Sequence, residues 1–332
     1  MSFAETEIRP EELKGGQQQA VSEDIDRLLS KSDKFIEVKC PSCGSENRHF
    51  KFEKNKFSYY ECDQCSTFYI TPRPDEEILE WFYKDSSNYR YWNKYIFPAS
   101  EQARREKIFI PRVEKTLAFC EKYSVELNSV LEIGAGFGTF CEELSSRNVF
   151  DKIVALELTP ELAQTCRNRG LEVLEIPVEK MNRHTRFDVI VSFEVIEHLF
   201  SPINFANSVR RLLNPGGILV LSCPNGKGFD IEVLGTLSDS VDHEHLNYFN
   251  PDSLTGMLER CGFSILETLT PGVLDADIVR NKILNDQFSI KNNPFFKTIF
   301  FDEWDRLRGP FQNFLTENGL SSNLWVVAQA PK

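Results

Sequence analysis

"VLEIGAGFGTF", residues 130–140, sets three glycines at alternate positions directly behind a short apolar run. The glycines are Gly134, Gly136 and Gly138, and the apolar run contains one carboxylate, Glu132. Glycine allows positive φ and lets the backbone approach a ligand closely, which a Cβ would hinder. The pattern predicts a strand, a ligand-binding loop and a helix start. In open α/β sheets that junction is the edge at which ligands bind.

On the C-terminal side of this loop, short apolar runs alternate with helical patterns through most of the chain. Repeated alternation predicts a parallel, doubly wound α/β sheet with helices on both faces. The seven predicted strands are "SVLEIG", "KIVALEL", "LEVLEI", "FDVIVSF", "GILVLSCP", "FSILETL" and "LWVVAQA".

Changes in composition, and residues that interrupt helices and strands, divide the 332 residues into four predicted segments. Residues 1–34 are polar and predict a mobile arm or a peripheral helix. A small β module follows at 35–74, and a helical linker or cap at 75–127. The α/β domain covers 128–332. Its connection at about 271–322 is long enough for a helical insertion that forms a lid or a homodimer surface.

A dinucleotide site would need a third glycine at the position of Thr139. Glu132 stands two residues before the first glycine, and a carboxylate there suits an amino group better than a phosphate. Glu157 closes the next apolar run, where a carboxylate can accept hydrogen bonds from both ribose hydroxyls. A ligand with an amino-acid group for Glu132 and a ribose for Glu157 matches S-adenosylmethionine. An NAD-dependent oxidoreductase and a purely structural turn are the alternatives.

Four motifs in register, "VLEIGAGFG", "VALELTPELA", "FDVIVSFEVIEHL" and "LLNPGGILVLSCPN", resemble those of class I S-adenosylmethionine-dependent methyltransferases. The resemblance implies a seven-stranded Rossmann-like sheet whose last strand is antiparallel and lies between the fifth and sixth. It assigns the methionine part of the cofactor to one loop, the ribose to the next strand end and the adenine to the turn after the third strand. The residues so implied are Glu132, Gly134, Ala135, Gly136 and Gly138, then Glu157 and Leu158, then Val178 and Glu179, with Phe193 at the fourth strand end.

Two cysteine pairs in the β module have the spacing of a four-thiolate zinc site. Cys40 and Cys43 are separated by eighteen residues from Cys62 and Cys65, and each pair reads C-x2-C. Four thiolates leave no open position, so the zinc is expected to be structural. The module resembles zinc ribbons that precede methyltransferase domains in bacterial sugar and surface-polysaccharide pathways. That resemblance implies a sugar or nucleotide-sugar acceptor. The remaining cysteines are scattered singly, which fits a reducing, cytoplasmic location.

Methyl transfer to a hydroxyl or a carbon acid requires removal of a proton. Glu194, Glu197 and His198 of "SFEVIEHL" would share one face of a helical turn. The motif is similar to the Glu-x-x-Glu-His with which ubiquinone-pathway O-methyltransferases, and enzymes that methylate the terminal 2'-hydroxyl of small RNAs, bind a divalent metal. A Mg²⁺ ion is one interpretation, and a structural or substrate-positioning role is the other. In "VDHEHLNYF", His243 or His245 is the predicted general base, because imidazole titrates near neutral pH.

An aromatic cluster in the helical segment offers a further contact to the cofactor. Tyr89, Tyr91 and Trp92 would attract the cationic sulfonium if they closed over it, or they would pack as core.

The totals limit the partners. A net charge of −12 disfavours nucleic acid as a partner. The sequence shows neither a run of 18 apolar residues nor a secretion signal, so we do not expect a membrane partner. The prediction is an enzyme that methylates a small, sugar-derived acceptor at O or C. A metal-dependent small-RNA 2'-O-methyltransferase and a non-catalytic zinc-ribbon interaction protein are the alternatives.

Overall fold

The computed structural model describes residues 5–182 and 184–331. Its named strands form a four-stranded and a seven-stranded sheet. The strands are β1 Arg48–Lys54, β2 Phe57–Cys62, β3 Phe68–Ile70, β4 Ser129–Ile133, β5 Lys152–Leu156, β6 Glu172–Leu174, β7 Phe187–Phe193, β8 Leu213–Pro224, β9 Asn247–Tyr248, β10 Ser264–Leu269 and β11 Asn323–Gln329.

Helices cover both faces of the larger sheet and form the segment that precedes it. They are α1 Glu5–Ile8, α2 Lys14–Leu29, α3 Glu76–Tyr83, α4 Ser87–Tyr91, α5 Phe97–Arg104, α6 Ile110–Tyr123, α7 Thr139–Ser146, α8 Pro160–Asn168, α9 Pro202–Leu212, α10 Phe229–Leu234, α11 Pro251–Arg260, α12 Asp275–Leu284, α13 Pro294–Lys297 and α14 Trp304–Glu317.

One continuous helical run joins α4, α5 and α6 through two π-helical turns, Trp92–Ile96 and Arg105–Phe109. Pro98 and Pro111 follow these turns closely. Proline lacks the N–H that would bond the carbonyl four residues earlier, so the backbone widens locally instead of breaking.

The seven-stranded sheet has the order β10-β11-β8-β7-β4-β5-β6. Strands β4 to β8 are parallel, and β11 is antiparallel to both of its neighbours, β8 and β10. The predicted α/β fold and its antiparallel last strand are confirmed. The central strand β7 is buried at every position, because a parallel sheet covered on both faces needs an almost continuous apolar strand.

The apolar core lies on the two faces of this sheet. Ile190 of β7 belongs to the cluster formed with α9 and α11, whereas Val189 and Val191 belong to the cluster formed with α6 and α7. Side chains alternate across a strand, so one apolar run supplies both faces. The result is a rigid sheet whose carboxyl edge presents the glycine loop.

The smaller sheet crosses the boundary between the predicted segments. Strands β1, β2 and β3 lie in the cysteine module, but the fourth strand is β9, which pairs antiparallel with β3. Residues Asn247 and Tyr248 of β9 are separated from the "DHEH" stretch by Leu246 alone. The sequence analysis does not predict this pairing with the cysteine module's sheet.

From residue 5 onward, the N-terminal segment predicted as a mobile arm or peripheral helix is largely helical and packs against the rest of the protein. Helix α2 lies against α4, and its buried Asp24 accepts hydrogen bonds from the Ser86 hydroxyl and from the backbone N–H groups of Ser87 and Asn88. Among the described residues, no helix combines the length and apolarity needed to span a bilayer.

The predicted insertion consists of α12, α13 and α14, which share an apolar cluster with α10. Phe295 and Phe314 remain exposed on its outer side.

Candidate functional site

The glycine loop follows β4 with left-handed backbone at three positions: φ is 77° at Gly134, 56° at Gly136 and 74° at Gly138. The N–H groups of Gly134 and Ala135 donate to the carbonyl that ends β5, at 2.9 and 3.1 Å. A Cβ on Gly134 would lie 2.5 Å from Val195, whereas one on Gly136 would meet no described heavy atom within 4 Å. The loop is therefore tight at its start and open at its centre, where a ligand can approach the backbone.

Glu157 lies beside the open centre of the loop. One carboxylate oxygen accepts the N–H of Gly136 and the other the N–H of Thr159, both at 2.8 Å. Burial raises the pKa of Glu157, and these two N–H groups oppose the rise. A carboxylate has about four acceptor sites, so each oxygen retains capacity for a hydroxyl. The neighbouring Leu158 is 54% exposed and leaves that side accessible.

Glu132 is buried at the end of β4, close to a guanidinium that sequence reasoning missed. Burial raises the pKa of Glu132 to about 8, opposed by the Cys141 thiol at 3.1 Å and by the charge of Arg112. Burial lowers the pKa of Arg112, and the charges of Glu194, Glu132 and Glu197 oppose that change. Arg112 is on α6, outside every motif, so only the fold reveals it. A carboxyl group beside a guanidinium matches the ammonium and carboxylate of a free amino acid.

Glu194, a predicted catalytic residue, lies beside Arg112 and not beside the histidines. Its oxygen Oε1 is 3.6 Å from the Arg112 guanidinium and accepts from the Ser222 hydroxyl at 2.5 Å and from Asn323 at 3.2 Å. Its φ of 56° is rare for a residue with a Cβ and costs about 1–3 kcal/mol. Phe193, predicted at the cofactor, packs in the core with its ring 4.7 Å from the Arg112 guanidinium, and its contact with the cofactor stays a prediction.

The predicted adenine contacts lie in a 3₁₀ turn, Val178–Lys180, that follows β6. Val178 is buried in the main core, and its side chain supports the turn. Glu179 lines a small polar cavity with Asn207 and Arg211 of α9.

Two histidines lie close together, one in the turn after β7 and one in the loop before β9. Nδ1 of His198 is 3.1 Å from the Glu244 carbonyl, Nδ1 of His245 is 2.9 Å from the Ser240 carbonyl, and the two rings are 4.7 Å apart. A carbonyl only accepts, so each Nδ1 carries the proton and each Nε2 keeps a free lone pair. Burial and the neighbouring His245 lower the pKa of His198 to about 3 and hold it neutral.

Glu197 completes this group. It is 0% exposed, and neither carboxylate oxygen has a hydrogen-bond partner among the described residues. Burial, and then the charge of Glu194, raises its pKa well above the usual range. Ligand atoms of Glu197, His198 and His245 lie within 4.8 Å of one another. Two imidazoles and a carboxylate are a donor set that divalent metals use. Glu194, proposed from sequence as a further ligand, is outside this group.

His243 and His245 could not be separated from sequence, but the structure separates them. His243 is 2% exposed, with its ring between Phe57 and Phe82 at 6.3 and 6.0 Å, and burial lowers its pKa. His245 is partly exposed and faces His198. The structure therefore does not bring His243 to the site, and we retain His245 as the candidate base.

Asp242 orients the candidate base, a role that sequence reasoning missed although "DHEH" contains it. Its carboxylate accepts the N–H groups of Glu244 and His245 at 2.8 and 2.9 Å and lies 3.5 Å from Nδ1 of His245. Burial acts to raise the pKa of Asp242, but the charges of His245, His243 and His198 outweigh it and lower the pKa. The loop thus holds an anion behind the imidazole.

A pair of tyrosine side chains lies beside His198. The Tyr83 hydroxyl is 3.4 Å from Nδ1 of His198, and its ring is 5.7 Å from that of Tyr89. Burial raises the pKa of Tyr89, with further contributions from the charges of Glu244 and Glu157. Tyr83 therefore packs between His198 and Tyr89.

The other members of the predicted aromatic cluster point elsewhere. Tyr91 packs on Tyr95 with ring centroids 4.9 Å apart, and Trp92 lies under the Arg104 guanidinium at 4.6 Å.

Glu244 and Asn88 add a polar wall near Tyr89. The Asn88 amide donates to Glu244 at 2.9 Å, and burial raises the pKa of Glu244 to about 8. The wall can both donate and accept hydrogen bonds.

The four cysteines of the β module come together as thiols. Cys40 and Cys65 are 3.5 Å apart at sulfur, as are Cys43 and Cys62, and all four sulfurs lie within 4.8 Å of one another. A tetrahedral site with Zn–S bonds of about 2.3 Å places its sulfurs about 3.8 Å apart. The arrangement fits a zinc ion of structural type.

Known proteins resemble the chain over its α/β part. Ubiquinone biosynthesis O-methyltransferases of Xylella fastidiosa and Cereibacter sphaeroides are 27% and 26% identical to it over 151 and 153 residues, or 41% and 40% of this chain. The matches span 61% and 59% of those relatives' length. The crystal structure of an S-adenosylmethionine-dependent methyltransferase from Clostridium acetobutylicum is 12% identical with a TM-score of 0.49, and the alignment covers 73% of this chain and 99% of that one.

The family described as "Methyltransferase domain" matches residues 102–268, half of the chain. That stretch contains the glycine loop, both carboxylates beside it, Arg112 and the histidine loop. The chain belongs to the methyltransferase-domain family.

Proposed function

We propose that this protein transfers the methyl group of S-adenosylmethionine to a small, sugar-derived acceptor, at a hydroxyl oxygen or at an acidic carbon. The observation that supports this most is Glu157, which two backbone N–H groups orient beside an open glycine loop, together with a pair of histidines whose Nε2 atoms are free. Cofactor recognition and proton removal are thereby available at one sheet edge.

The cofactor would be held by its amino-acid and ribose groups. Glu132 would accept the ammonium and Arg112 would donate to the carboxylate, because these two side chains complement the two groups. Burial raises the pKa of Glu132 to about 8, so Glu132 would lose its proton when the ammonium binds. Glu157 would accept the ribose hydroxyls on the lone pairs that its backbone contacts leave free. Gly136 leaves room for the ligand against its backbone.

The transfer is an in-line displacement in which the acceptor oxygen attacks the methyl carbon, the bond from carbon to sulfur breaks, and S-adenosylhomocysteine leaves. For a hydroxyl acceptor the proton passes to Nε2 of His245. The contact from Nδ1 to Ser240 fixes the tautomer that keeps Nε2 free, and Asp242 stabilises the imidazolium that forms.

The sugar assignment rests on the polar wall and on the resemblance of the cysteine module. Asn88, Glu244 and the phenols of Tyr83 and Tyr89 offer donors and acceptors that suit a ligand rich in hydroxyls. A hydrophobic acceptor would leave these buried groups unpaired at a cost of about 1–3 kcal/mol each.

The test is a screen of nucleotide sugars with mass-spectrometric detection of a methylated product and of S-adenosylhomocysteine. With an accepted substrate, His245→Ala should lower kcat by about 10²–10⁴-fold and leave S-adenosylhomocysteine affinity within about twofold. His49→Ala is the matched control, because His49 is an exposed histidine bonded to Asp63 on β1. Cofactor binding without turnover on any acceptor would contradict the proposal and favour a non-catalytic protein.

A metal-assisted transfer is the second candidate, favoured by the unpaired carboxylate of Glu197 beside His198 and His245. A divalent cation held by these three would polarise the acceptor hydroxyl. In that case Glu197→Gln and a chelator should each abolish turnover, whereas Glu161→Gln, a change at an exposed helix position, should not. An unchanged rate in Glu197→Gln would assign proton removal to His245 alone.

A further inference from the structure

The cysteine module and the histidine loop share a sheet. Strand β3 pairs with β9, with Phe68 opposite Tyr248 and Tyr69 opposite Asn247, and the N–H of Ile70 donates to the Leu246 carbonyl at 3.0 Å. Residues 246–248 are therefore held by the module and not by the seven-stranded sheet. His245 stands one residue before this pairing.

Two side chains of the module also grip the loop that precedes His245. The Tyr59 hydroxyl donates to the Asp242 carbonyl at 2.7 Å. Lys54 donates to the carbonyls of Ser238 and Val241 at 2.8 and 2.5 Å. Tyr59 is fully buried, so this hydrogen bond is shielded from water and has a defined geometry. The carbonyl that it fixes belongs to the residue that orients His245.

A third side chain of the module reaches the other histidine. Arg73 is 2% exposed, and its guanidinium donates to the Asn247 side chain at 2.8 Å and to the Phe200 carbonyl. The Asn247 amide in turn donates to the Leu199 carbonyl at 2.7 Å, next to His198. Among the described residues, this guanidinium contacts the neutral Asn247 side chain, the Phe200 carbonyl and the Phe200 ring. Burying a cation among neutral partners costs free energy. The hydrogen bonds of this guanidinium hold the turn that carries His198 in place.

We propose that the cysteine module is the device that positions the two acceptor-site histidines, with Tyr59 fixing the His245 loop and Arg73 fixing the His198 turn. Both are positioning residues, since they act through Asp242 and Asn247. The inference rests on the proposed function for its consequence in catalysis, and on the structure alone for its consequence in the loop.

The thiol cluster is linked to the same device. Cys62 ends β2, and the carbonyl of Cys65 accepts the Asn250 amide at 2.9 Å. Asn250 is the N-cap of α11, which follows β9. Zinc bound to the four thiols would hold β3 and α11 in the register that positions the loop. Loss of the metal should therefore loosen the histidine loop before it affects the glycine loop.

The decisive variant is Tyr59→Phe in the full chain, read by hydrogen exchange of the Glu244 and His245 amides, which donate to Asp242. Protection of these amides should fall about fivefold, the factor that one net hydrogen bond between neutral groups is worth. S-adenosylhomocysteine affinity should stay within about twofold. Tyr60→Phe is the matched control, because Tyr60 is the next residue of β2 and its ring packs on Phe50.

With an accepted substrate, Tyr59→Phe should also lower kcat/KM for the acceptor by about fivefold while KM for S-adenosylmethionine is unchanged. Unchanged protection in Tyr59→Phe, or an equal loss in Tyr60→Phe, would overturn the inference. So would a parallel loss of cofactor affinity, since a general loss of stability would act on both halves of the site. Because exchange needs no acceptor, its result stands even if the proposed function fails.

Arg73→Lys tests the second contact by exchange at the amide of His198. Faster exchange there in a protein that still melts cooperatively supports the inference, and unchanged exchange overturns this half of it. If Arg73→Lys does not fold, Tyr59→Phe decides.

Discussion

Replacing Glu132 with glutamine should remove the pH dependence of cofactor affinity below pH 8. Burial raises the pKa of Glu132 to about 8, so about one tenth of the protein carries the carboxylate at pH 7. If the carboxylate receives the ligand's ammonium, binding must first remove a proton. That step costs about 1.4 kcal/mol at pH 7, or tenfold in affinity, and about 2.7 kcal/mol at pH 6.

The assay is calorimetric titration with S-adenosylhomocysteine at pH 6, 7 and 8 in buffers of different ionisation enthalpy. The dissociation constant should fall about ninefold from pH 6 to 7 and about fivefold from 7 to 8, with about 0.9 proton released at pH 7. Above pH 8 the ligand's own ammonium begins to lose its proton, so affinity should pass through a maximum.

Glu132→Gln should bind about tenfold or more weakly than the wild type at pH 8, because a charge-assisted hydrogen bond is lost, and should show a flat profile between pH 6 and 7. Glu126→Gln, at an exposed position before β4, is the matched control and should follow the wild type. A wild-type affinity that is constant from pH 6 to 8, or a release below about 0.2 proton at pH 7, would refute the reasoning.

Four further changes test other parts of the structure. Glu157→Ala should weaken S-adenosylhomocysteine binding by about 10–100-fold in calorimetry, since two charge-assisted hydrogen bonds are lost; a change below twofold would contradict the ribose assignment. Gly138→Ala should lower the melting temperature, because φ is 74° there and the new Cβ would lie 2.7 Å from Leu171. Burial raises the pKa of Glu197, so the stability that its protonated form contributes is full below the unfolded pKa and is lost as pH rises. The free energy of unfolding of the wild type should therefore fall relative to that of Glu197→Gln by up to about 1.4 kcal/mol per pH unit between pH 5 and 7, as measured by urea unfolding. Cys43→Ser should lose the single zinc that metal analysis is expected to find per chain, and should melt at lower temperature.

The α/β sheet could be predicted from sequence because its signals are local. The apolar runs match β4, β5, β7, β8, β10 and β11 within a few residues. A central strand such as β7 is buried on both faces and must be apolar throughout, whereas no residue of the edge strand β10 is buried. The order of those strands came from resemblance. Periodicity alone does not say that β11 enters between β8 and β10.

The residues proposed to hold the cofactor are only partly predictable from sequence. Glu132 and Glu157 stand at fixed distances from the glycines, so their motif identifies them. Arg112 has no such signal, because α6 is an ordinary amphipathic helix whose guanidinium reaches the carboxylates only after folding. Phe193 packs beside the Arg112 guanidinium because side chains alternate across β7, and its contact with the cofactor stays a prediction.

The sequence alone predicts the glycine loop and the thiol cluster, because a left-handed turn and a C-x2-C pair each depend on a few neighbouring residues. Tertiary packing distinguishes the positions of the two histidines in this loop. The loop from Ser240 to His245 is irregular, so no periodicity assigns its faces. His243 packs against Phe57 of β2 and Phe82 of α3, which lie more than a hundred positions earlier in the chain, while His245 packs against His198.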